Sequence, residues 1–233
     1  GVSSGATINA SSQPGGFNIG SGASLTFLGN GGVLNVDVSG NASQIFGSLS
    51  SSAGNLFVAN ANGIIVGPTA TISSTAGDVG LIANTLGGTS GFDGTIASFG
   101  YNGTGGNVTV QTGATIGGAT VLVSGGGTVN VDLSTLTSGS ATLSAGLPNT
   151  GGAFATTNAN ASLAVSGALG GATLVGFDKA GNASNSGTLE LGSNAAVEGT
   201  LTNTGTLTLD GTFAIDGALV NNKTVTQTGD ASM

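Results

Sequence analysis

The chain holds few side chains that could act as acids, bases or nucleophiles. Its 233 residues include ten acidic residues, two lysines (Lys179 and Lys223), and no His, Cys or Arg. Nucleophilic catalysis by Ser or Thr needs a titratable partner beside the hydroxyl. The sequence places no such partner near a candidate nucleophile, so we predict that the protein is not an enzyme.

One constellation keeps an enzymatic alternative open. A glycoside hydrolase uses two carboxylates that face one cleft. Glu190, Glu198, Asp210 and Asp216 are spaced so that stacked repeats could bring two of them together. Solvated acids in turns are the simpler interpretation, and a carbohydrate-active enzyme remains a weaker alternative.

The acids are also too scattered to predict a metal site. Calcium needs several oxygen ligands from closely spaced acids, and the glycine-rich nonapeptide of calcium-binding β-rolls is absent. Asp37, Asp132 and Asp210 each follow an apolar strand, where we expect solvated carboxylates. We predict no metal and no cofactor.

The amino-acid composition argues against nucleic-acid partners and membrane insertion. The net charge is −8 and charged residues make up only 5% of the chain, so the Lys and Arg clusters that bind nucleic acid are missing. No apolar run approaches the roughly 20 residues of a membrane-spanning helix, and we expect no membrane insertion. A surface so poor in charge is weakly protected against self-association.

The secondary-structure elements that the sequence predicts are short strands, each followed by Gly, Asn or Ser. Apolar residues alternate with Thr, Ser and Asn, which is the period of a β-strand, and no segment holds a helical pattern. Asn185–Leu191 is followed 18 residues later by Asn203–Leu209, and a degenerate copy at 222–226 comes after a further 19. A period near 18 to 20 residues predicts an all-β right-handed parallel β-helix (solenoid) of about 11 or 12 coils, on the order of 55 Å long.

Two stretches interrupt this rhythm and predict short extra-helical loops or hairpins. They are residues 87–106, with Phe92, Phe99 and Tyr101, and residues 145–160, with Pro148 and Phe154. Their aromatic side chains either cover a hydrophobic face locally, which we favour, or contact a partner.

One region contains sequence motifs in the order that is typical of a known family. Asn60-Ala61-Asn62-Gly63-Ile64 joins two apolar strands through Asn-Gly, the strongest short turn dipeptide. The segments in family order are Phe17–Ile19, Gly22–Phe27, Ser43–Leu49, Asn55–Phe57, Asn60–Pro68, Ala70–Ile72 and Val79–Ala83. Together they resemble the haemagglutination-activity, or two-partner secretion, domain of filamentous-haemagglutinin-like exoproteins. The resemblance covers about the first 90 residues, and Ala61 stands where that family usually has proline.

The resemblance implies a secreted exoprotein at the surface of a Gram-negative bacterium. Residues 1–90 would be the secretion-domain-like part and residues 91–233 continuing β-helix repeats in one rod. An outer-membrane transporter β-barrel would be the partner during export, and Asn60, Asn62, Gly63 and Ile64 would carry the secretion motif.

Open strand edges at the two ends suggest a structural role. Unpaired edges bind other strands readily, so we expect end-to-end self-association into a surface filament or matrix fibre. The polymerisation edges are placed at Val2, Ile8, Val220 and Val225. A monomeric adhesin or haemagglutinin is the alternative, and the alternating Thr residues near the end leave an ice-binding protein as a weaker one.

Overall fold

The structure of the protein is a computed structural model, and it describes residues 6–9, 15–29, 31–52, 54–149, 156–180, 182–191, 195–197, 199–210 and 213–228. Within these ranges the chain forms 25 strands and two short 3-10 helices, Ile96–Ser98 and Leu133–Thr135. The all-β prediction is confirmed. Neither of these helices is long and apolar enough to cross a membrane.

The strands are short and evenly distributed, as the alternating pattern predicts. In chain order they are β1 (Ala6–Asn9), β2 (Asn18–Ile19), β3 (Ser24–Phe27), β4 (Val33–Val36), β5 (Ser43–Ile45), β6 (Ser48–Ser51), β7 (Leu56–Ala59), β8 (Ile64–Val66), β9 (Thr71–Ser74), β10 (Val79–Leu86), β11 (Tyr101–Gly105), β12 (Val108–Val110), β13 (Thr115–Gly125), β14 (Thr128–Asp132), β15 (Leu136–Ala145), β16 (Ser162–Ser166), β17 (Thr173–Lys179), β18 (Ala183–Asn185), β19 (Thr188–Leu191), β20 (Ala195–Val197), β21 (Leu201–Asn203), β22 (Thr206–Leu209), β23 (Phe213–Ile215), β24 (Leu219–Asn221) and β25 (Thr224–Gln227).

The strands pair in parallel with their equivalents further along the chain. Sheet 1 follows the order β1-β4-β7-β10-β13-β15-β17-β20-β23, and sheet 2 follows β2-β5-β8-β12-β14-β16-β18-β21-β24. A third row of pairings runs β3-β6-β9-β13 and resumes as β19-β22-β25. We call one passage through sheet 1, sheet 2 and the third row a coil; β1, β2 and β3 form the first described coil, and β23, β24 and β25 the last.

The described residues form nine coils, fewer than the 11 or 12 that the repeat predicted. The reason is that the 18-residue period holds only near the end, where Ala195 pairs with Phe213. Val33 pairs with Leu56, 23 residues later, and a long excursion separates Val79 from its partner Val121. At the usual spacing between strands, nine coils extend about 40 Å.

Rows of apolar side chains fill the interior between the sheets. In sheet 1 the residues Val58, Leu81, Val123, Leu143 and Phe177 lie opposite one another in successive coils. All five are fully buried. Each coil is covered by its neighbours, so stability accumulates as a sum over contacts between adjacent coils.

The first excursion leaves sheet 1 after β10 and returns as β11, which pairs antiparallel with β10. Its Phe92 and Phe99 rings pack edge-on against Phe57, with ring centroids 6.1 and 5.9 Å away. Phe92, Phe99 and Tyr101 are all buried. The expected loop is confirmed, and its aromatic side chains cover an apolar patch on the outer face of sheet 1.

The second excursion follows β15 and holds the first one in place. Its Asn149 side chain accepts a hydrogen bond from the backbone N–H of Tyr101 (2.7 Å) and donates one to the carbonyl of Phe99 (2.9 Å). The chain therefore departs from the coil here, as predicted, within the described parts of residues 146–160. Phe154 lies outside the described residues.

Candidate functional site

The secretion-motif residues form the tight turn between β7 and β8. The carbonyl of Asn60 accepts a hydrogen bond from the N–H of Gly63 at 3.0 Å, which closes a four-residue turn. Gly63 has a φ of 123°, a backbone conformation that residues other than glycine rarely adopt. A Cβ at this position would lie 3.1 Å from the Asn107 carbonyl oxygen. The Asn-Gly pair thus makes the turn that the sequence predicts.

Asn60 faces inward and is almost completely buried. Its Nδ2 donates to Asp37 Oδ2 (3.1 Å), Ser43 Oγ (2.9 Å) and the Asn41 carbonyl (2.8 Å). Its Oδ1 accepts from the backbone N–H of Asn62 at 2.8 Å. Asn60 therefore fixes the turn from within, and its amide is not offered to a partner.

Asp37 organises this network, and the expectation that it is a solvated carboxylate is wrong. Its side chain is 2% exposed. It accepts hydrogen bonds from the N–H groups of Phe17 (2.7 Å) and Ser39 (2.9 Å) and from Ser43 Oγ (2.7 Å). Burial alone would raise the pKa of Asp37, but the donors together outweigh burial, and its pKa lies below the usual value.

A second buried aspartate repeats this arrangement further along the chain. Asp132 accepts hydrogen bonds from Ser134 N (3.0 Å), Ser134 Oγ (2.6 Å) and Thr112 Oγ1. Burial would raise its pKa, but the Ser134 and Thr112 donors lower it overall. The sequence contains a signal for both buried aspartates, since Asn-Val-Asp-x-Ser occurs at both 35–39 and 130–134. An acidic residue at the end of a strand, followed by Ser two residues later, predicts a local turn.

Of the motif, Asn62 alone presents its side chain to solvent. Ala61 beside it is also exposed, whereas Gly63 and Ile64 are buried. Ile64 belongs to the core, since it pairs with Ser43 in one neighbouring coil and Val108 in the other. The surface that a partner could contact at this turn is therefore Ala61 and Asn62.

An open groove of about 360 Å³ adjoins the exposed side of the turn. Its lining includes Val36, Val38, Ala61, Leu86 and Thr89. Val38 is 58% exposed. The groove joins the motif turn to the base of the first excursion, so both would be presented to the same partner.

The predicted polymerisation edges fall at opposite ends of the stack. Val2 lies outside the described residues, and Ile8 pairs through its backbone with Asn35. Val220 is 44% exposed in β24, and Val225 in β25 is half-buried against the core. Val220 and Val225 thus share the last coil, where no further strand covers them within the described part of the chain.

The strand register sets no two of the described glycosidase candidates directly opposite each other. Glu190 in β19 lies opposite Thr208 of β22, and Asp210 and Asp216 are exposed residues that follow β22 and β23. Glu198 lies outside the described residues. Within the described ranges, no three His, Cys, Asp or Glu side chains are grouped so that they could hold a metal ion.

No protein-family model matches this chain, and neither a curated protein nor a solved structure matches it. The resemblance to two-partner secretion domains therefore depends on the sequence segments quoted above alone. The geometry adds that Asn60 and Gly63 fix the turn, that Ile64 belongs to the core, and that Asn62 is the motif residue with an exposed side chain.

Proposed function

We propose that the protein is a right-handed parallel β-helix that is exported across the outer membrane of a Gram-negative bacterium and serves as an extracellular structural protein. The support for the β-helix is the parallel pairing of equivalent strands in successive coils along sheets 1 and 2. Right-handedness follows from the general preference of parallel crossover connections.

The observation that carries the export proposal is the internal anchoring of the motif turn. The Asn60 amide donates hydrogen bonds to Asp37, Ser43 and Asn41. These bonds hold the exposed Ala61 and Asn62 in one arrangement. A preorganised turn costs a partner less ordering entropy on binding. An outer-membrane transporter β-barrel is the partner that the family resemblance implies.

The coil arrangement also offers a driving force for export. Each coil that reaches the cell exterior can stack on the previous one and bury its aliphatic row, as Val58, Leu81 and Val123 do. Stacking outside the cell would disfavour return of the chain through the pore. No cofactor or nucleotide is needed for this step.

A monomeric adhesin is the second candidate, and the groove beside Val38 and Ala61 is the observation that favours it. A structural fibre needs no such concavity. Binding of purified monomer to cells, with saturation and without self-assembly, would identify this function.

Transporter-dependent secretion tests the proposal. The chain is expressed behind a cleavable export signal in a Gram-negative host, with and without the candidate transporter, and the culture medium is assayed by immunoblot. We expect the protein in the medium only when the transporter is present. Equal amounts in the medium without any transporter would contradict the proposal.

A further inference from the structure

The pair Asn62-Gly63 in the motif turn can undergo a chemical reaction with itself. The backbone nitrogen of Gly63 can attack Cγ of the Asn62 side chain, because glycine has no Cβ to hinder the approach. A bond forms between this nitrogen and Cγ, and the amide nitrogen of Asn62 leaves with the displaced proton as ammonia. Water then opens the resulting cyclic succinimide to aspartate or isoaspartate. This deamidation needs water as its only co-reactant and converts a neutral amide into a carboxylate.

The folded turn withholds the attacking nitrogen. The N–H of Gly63 donates to the Asn60 carbonyl at 3.0 Å within the turn. The Gly63 carbonyl accepts from the N–H of Ser43 (3.0 Å) in the preceding coil, and the N–H of Ile64 donates to the Asn107 carbonyl (2.9 Å) in the following coil. The attack requires the nitrogen to lose its proton and the peptide unit to rotate. It would therefore break the bond within the turn and disturb the bonds to both neighbouring coils.

The reacting side chain is held as well. The backbone N–H of Asn62 donates to the Oδ1 of Asn60 at 2.8 Å, and the Nδ2 of Asn62 lies 3.3 Å from the same oxygen. These contacts keep the Asn62 amide turned toward Asn60. The amide of Asn60 is itself fixed by Asp37 and Ser43. The network that anchors the turn thus also restrains the group that would react.

A second Asn-Gly pair provides an internal reference. Asn-Gly also occurs at Asn30, which lies outside the described residues, and at Asn102 in β11. The N–H of Gly103 donates to the Thr156 carbonyl at 2.7 Å. This bond ties Asn102-Gly103 to the second excursion, and it does not involve the network around Asp37. Changes in that network should therefore act on Asn62 and leave Asn102 unaffected.

We propose that Asn62 is a deamidation site controlled by the stacking of coils. It is modified while the turn is open, and it is spared once the coils that contain Ser43 and Asn107 have stacked on either side. The rate then follows the population of the open turn. The product places a carboxylate beside the Oδ1 of Asn60, and isoaspartate also lengthens the backbone within the turn, so a modified turn closes less well. This inference goes beyond the export proposal, since it requires no transporter.

The first test compares the folded and the unfolded chain. The purified full chain is aged in one buffer with or without denaturing urea, and is then digested with chymotrypsin. Cleavage after Phe57, Leu81, Tyr101 and Leu122 gives fragments 58–81 and 102–122, which separate the two Asn-Gly pairs. Mass spectrometry then measures deamidation at each pair.

We expect Asn62 to be modified at least about tenfold more slowly in the folded chain than in urea. Asn62→Gln is the control, because the longer side chain cannot form the same ring, and its fragment 58–81 should stay unmodified at position 62. Equal rates at Asn62 in the folded and the unfolded chain would overturn the proposal.

The second test loosens the turn without changing the Asn-Gly pair. Asp37→Ala removes one acceptor of the Asn60 amide, and the milder Ser43→Ala removes another. Each rate is divided by the rate of the same variant in urea, and circular dichroism confirms that the variant is folded. We expect the ratio of the rate at Asn62 to the rate at Asn102 to rise about three- to tenfold in a folded variant.

Ser43→Ala decides this second test if Asp37→Ala does not fold. An unchanged ratio in the folded variant would mean that Asn62 reacts only when the whole chain unfolds, and would overturn control by the turn. Both tests use purified protein and measure no secretion, so failure of the export proposal is distinguishable from failure of this one.

Discussion

The Nδ2 of Asn60 lies 3.1 Å from the Oδ2 of Asp37, 23 residues earlier in the chain. This contact joins the coil that contains the secretion-motif turn to the preceding one. The same carboxylate binds the N–H of Phe17, in the coil before that. Asp37 therefore holds three successive coils together at the corner where the motif turn lies.

Removing the Asp37 carboxylate should destabilise the protein and release the turn. Asp37→Ala leaves the N–H groups of Phe17 and Ser39 without their acceptor and removes one of the three acceptors of the Asn60 amide. We expect a loss of about 1–3 kcal/mol in the free energy of unfolding, measured by urea denaturation. Asp210→Ala is the matched control, since Asp210 is exposed and should change stability by less than about 0.5 kcal/mol. Equal effects of the two substitutions would contradict the role given to Asp37.

Stability should fall in acid. The pKa values of Asp37 and Asp132 are both below the usual 3.8 in the folded chain, so their contribution is fully present above that value. It is lost as the pH falls through the lower pKa values of the folded state, where both carboxylates take up protons. Urea midpoints measured from about pH 7 to pH 2 should decline below about pH 4, and the Asp37→Asn, Asp132→Asn double variant should show a shallower decline. An unchanged profile in the double variant would count against both anchors.

Proline at position 61 should stabilise the turn. Ala61 follows the buried Asn60 and precedes Asn62 in the closed turn, at the second position, which favours proline. Ala61→Pro restricts the unfolded chain, and we expect about 0.4–1 kcal/mol of added stability. Ala59→Pro is the contrasting control, because Ala59 lies in β7 with strands on both sides and proline would remove a sheet hydrogen bond. Destabilisation by Ala61→Pro would show that the turn differs from that described.

The first excursion should detach when its aromatic contacts are removed. Phe99→Ala deletes a buried ring that packs 5.9 Å from both Phe57 and Phe92. We expect a loss of about 3 kcal/mol and faster hydrogen exchange between residues 87 and 105, while the amides around Leu81 stay protected. Thr104→Ala, at an exposed position of β11, serves as the control. Unchanged exchange in the excursion would mean that the rings do not hold it.

The sequence alone predicts the parts of this fold that depend on local pattern. Alternation predicts strands, Asn62-Gly63 predicts the motif turn, and the loss of rhythm after residue 86 predicts the excursion. The buried role of Asp37 is different, because its donors Phe17 and Asn60 lie 20 and 23 residues away and meet only when coils stack. A strand-end aspartate looks the same in the sequence whether it is solvated or buried.

The asparagines that end β21 and β24 show a similar limit. Matching Asn203 to Asn222 by sequence gives a 19-residue step, but the structure pairs Asn203 with Asn221 and keeps the step at 18. Two adjacent asparagines cannot be told apart by type, and the inward or outward direction of each depends on strand register. The repeat also predicts more coils than the nine that the described residues form, because the first coils are longer than the repeat near the end.

The secreted fraction of Asn62→Ala tests the central claim most directly. Asn62 carries the exposed amide of the motif turn and makes one long hydrogen bond, from its Nδ2 to Asn60 Oδ1 at 3.3 Å. Asn222 is an exposed asparagine of the last coil and lies far from the turn along the chain. The account predicts that Asn62→Ala reduces the amount of protein in the medium at least about tenfold, while its melting temperature stays within about 4 °C of the parent chain because only one long hydrogen bond is lost. Asn222→Ala should be secreted like the parent chain. Normal secretion of a folded Asn62→Ala variant would contradict the account.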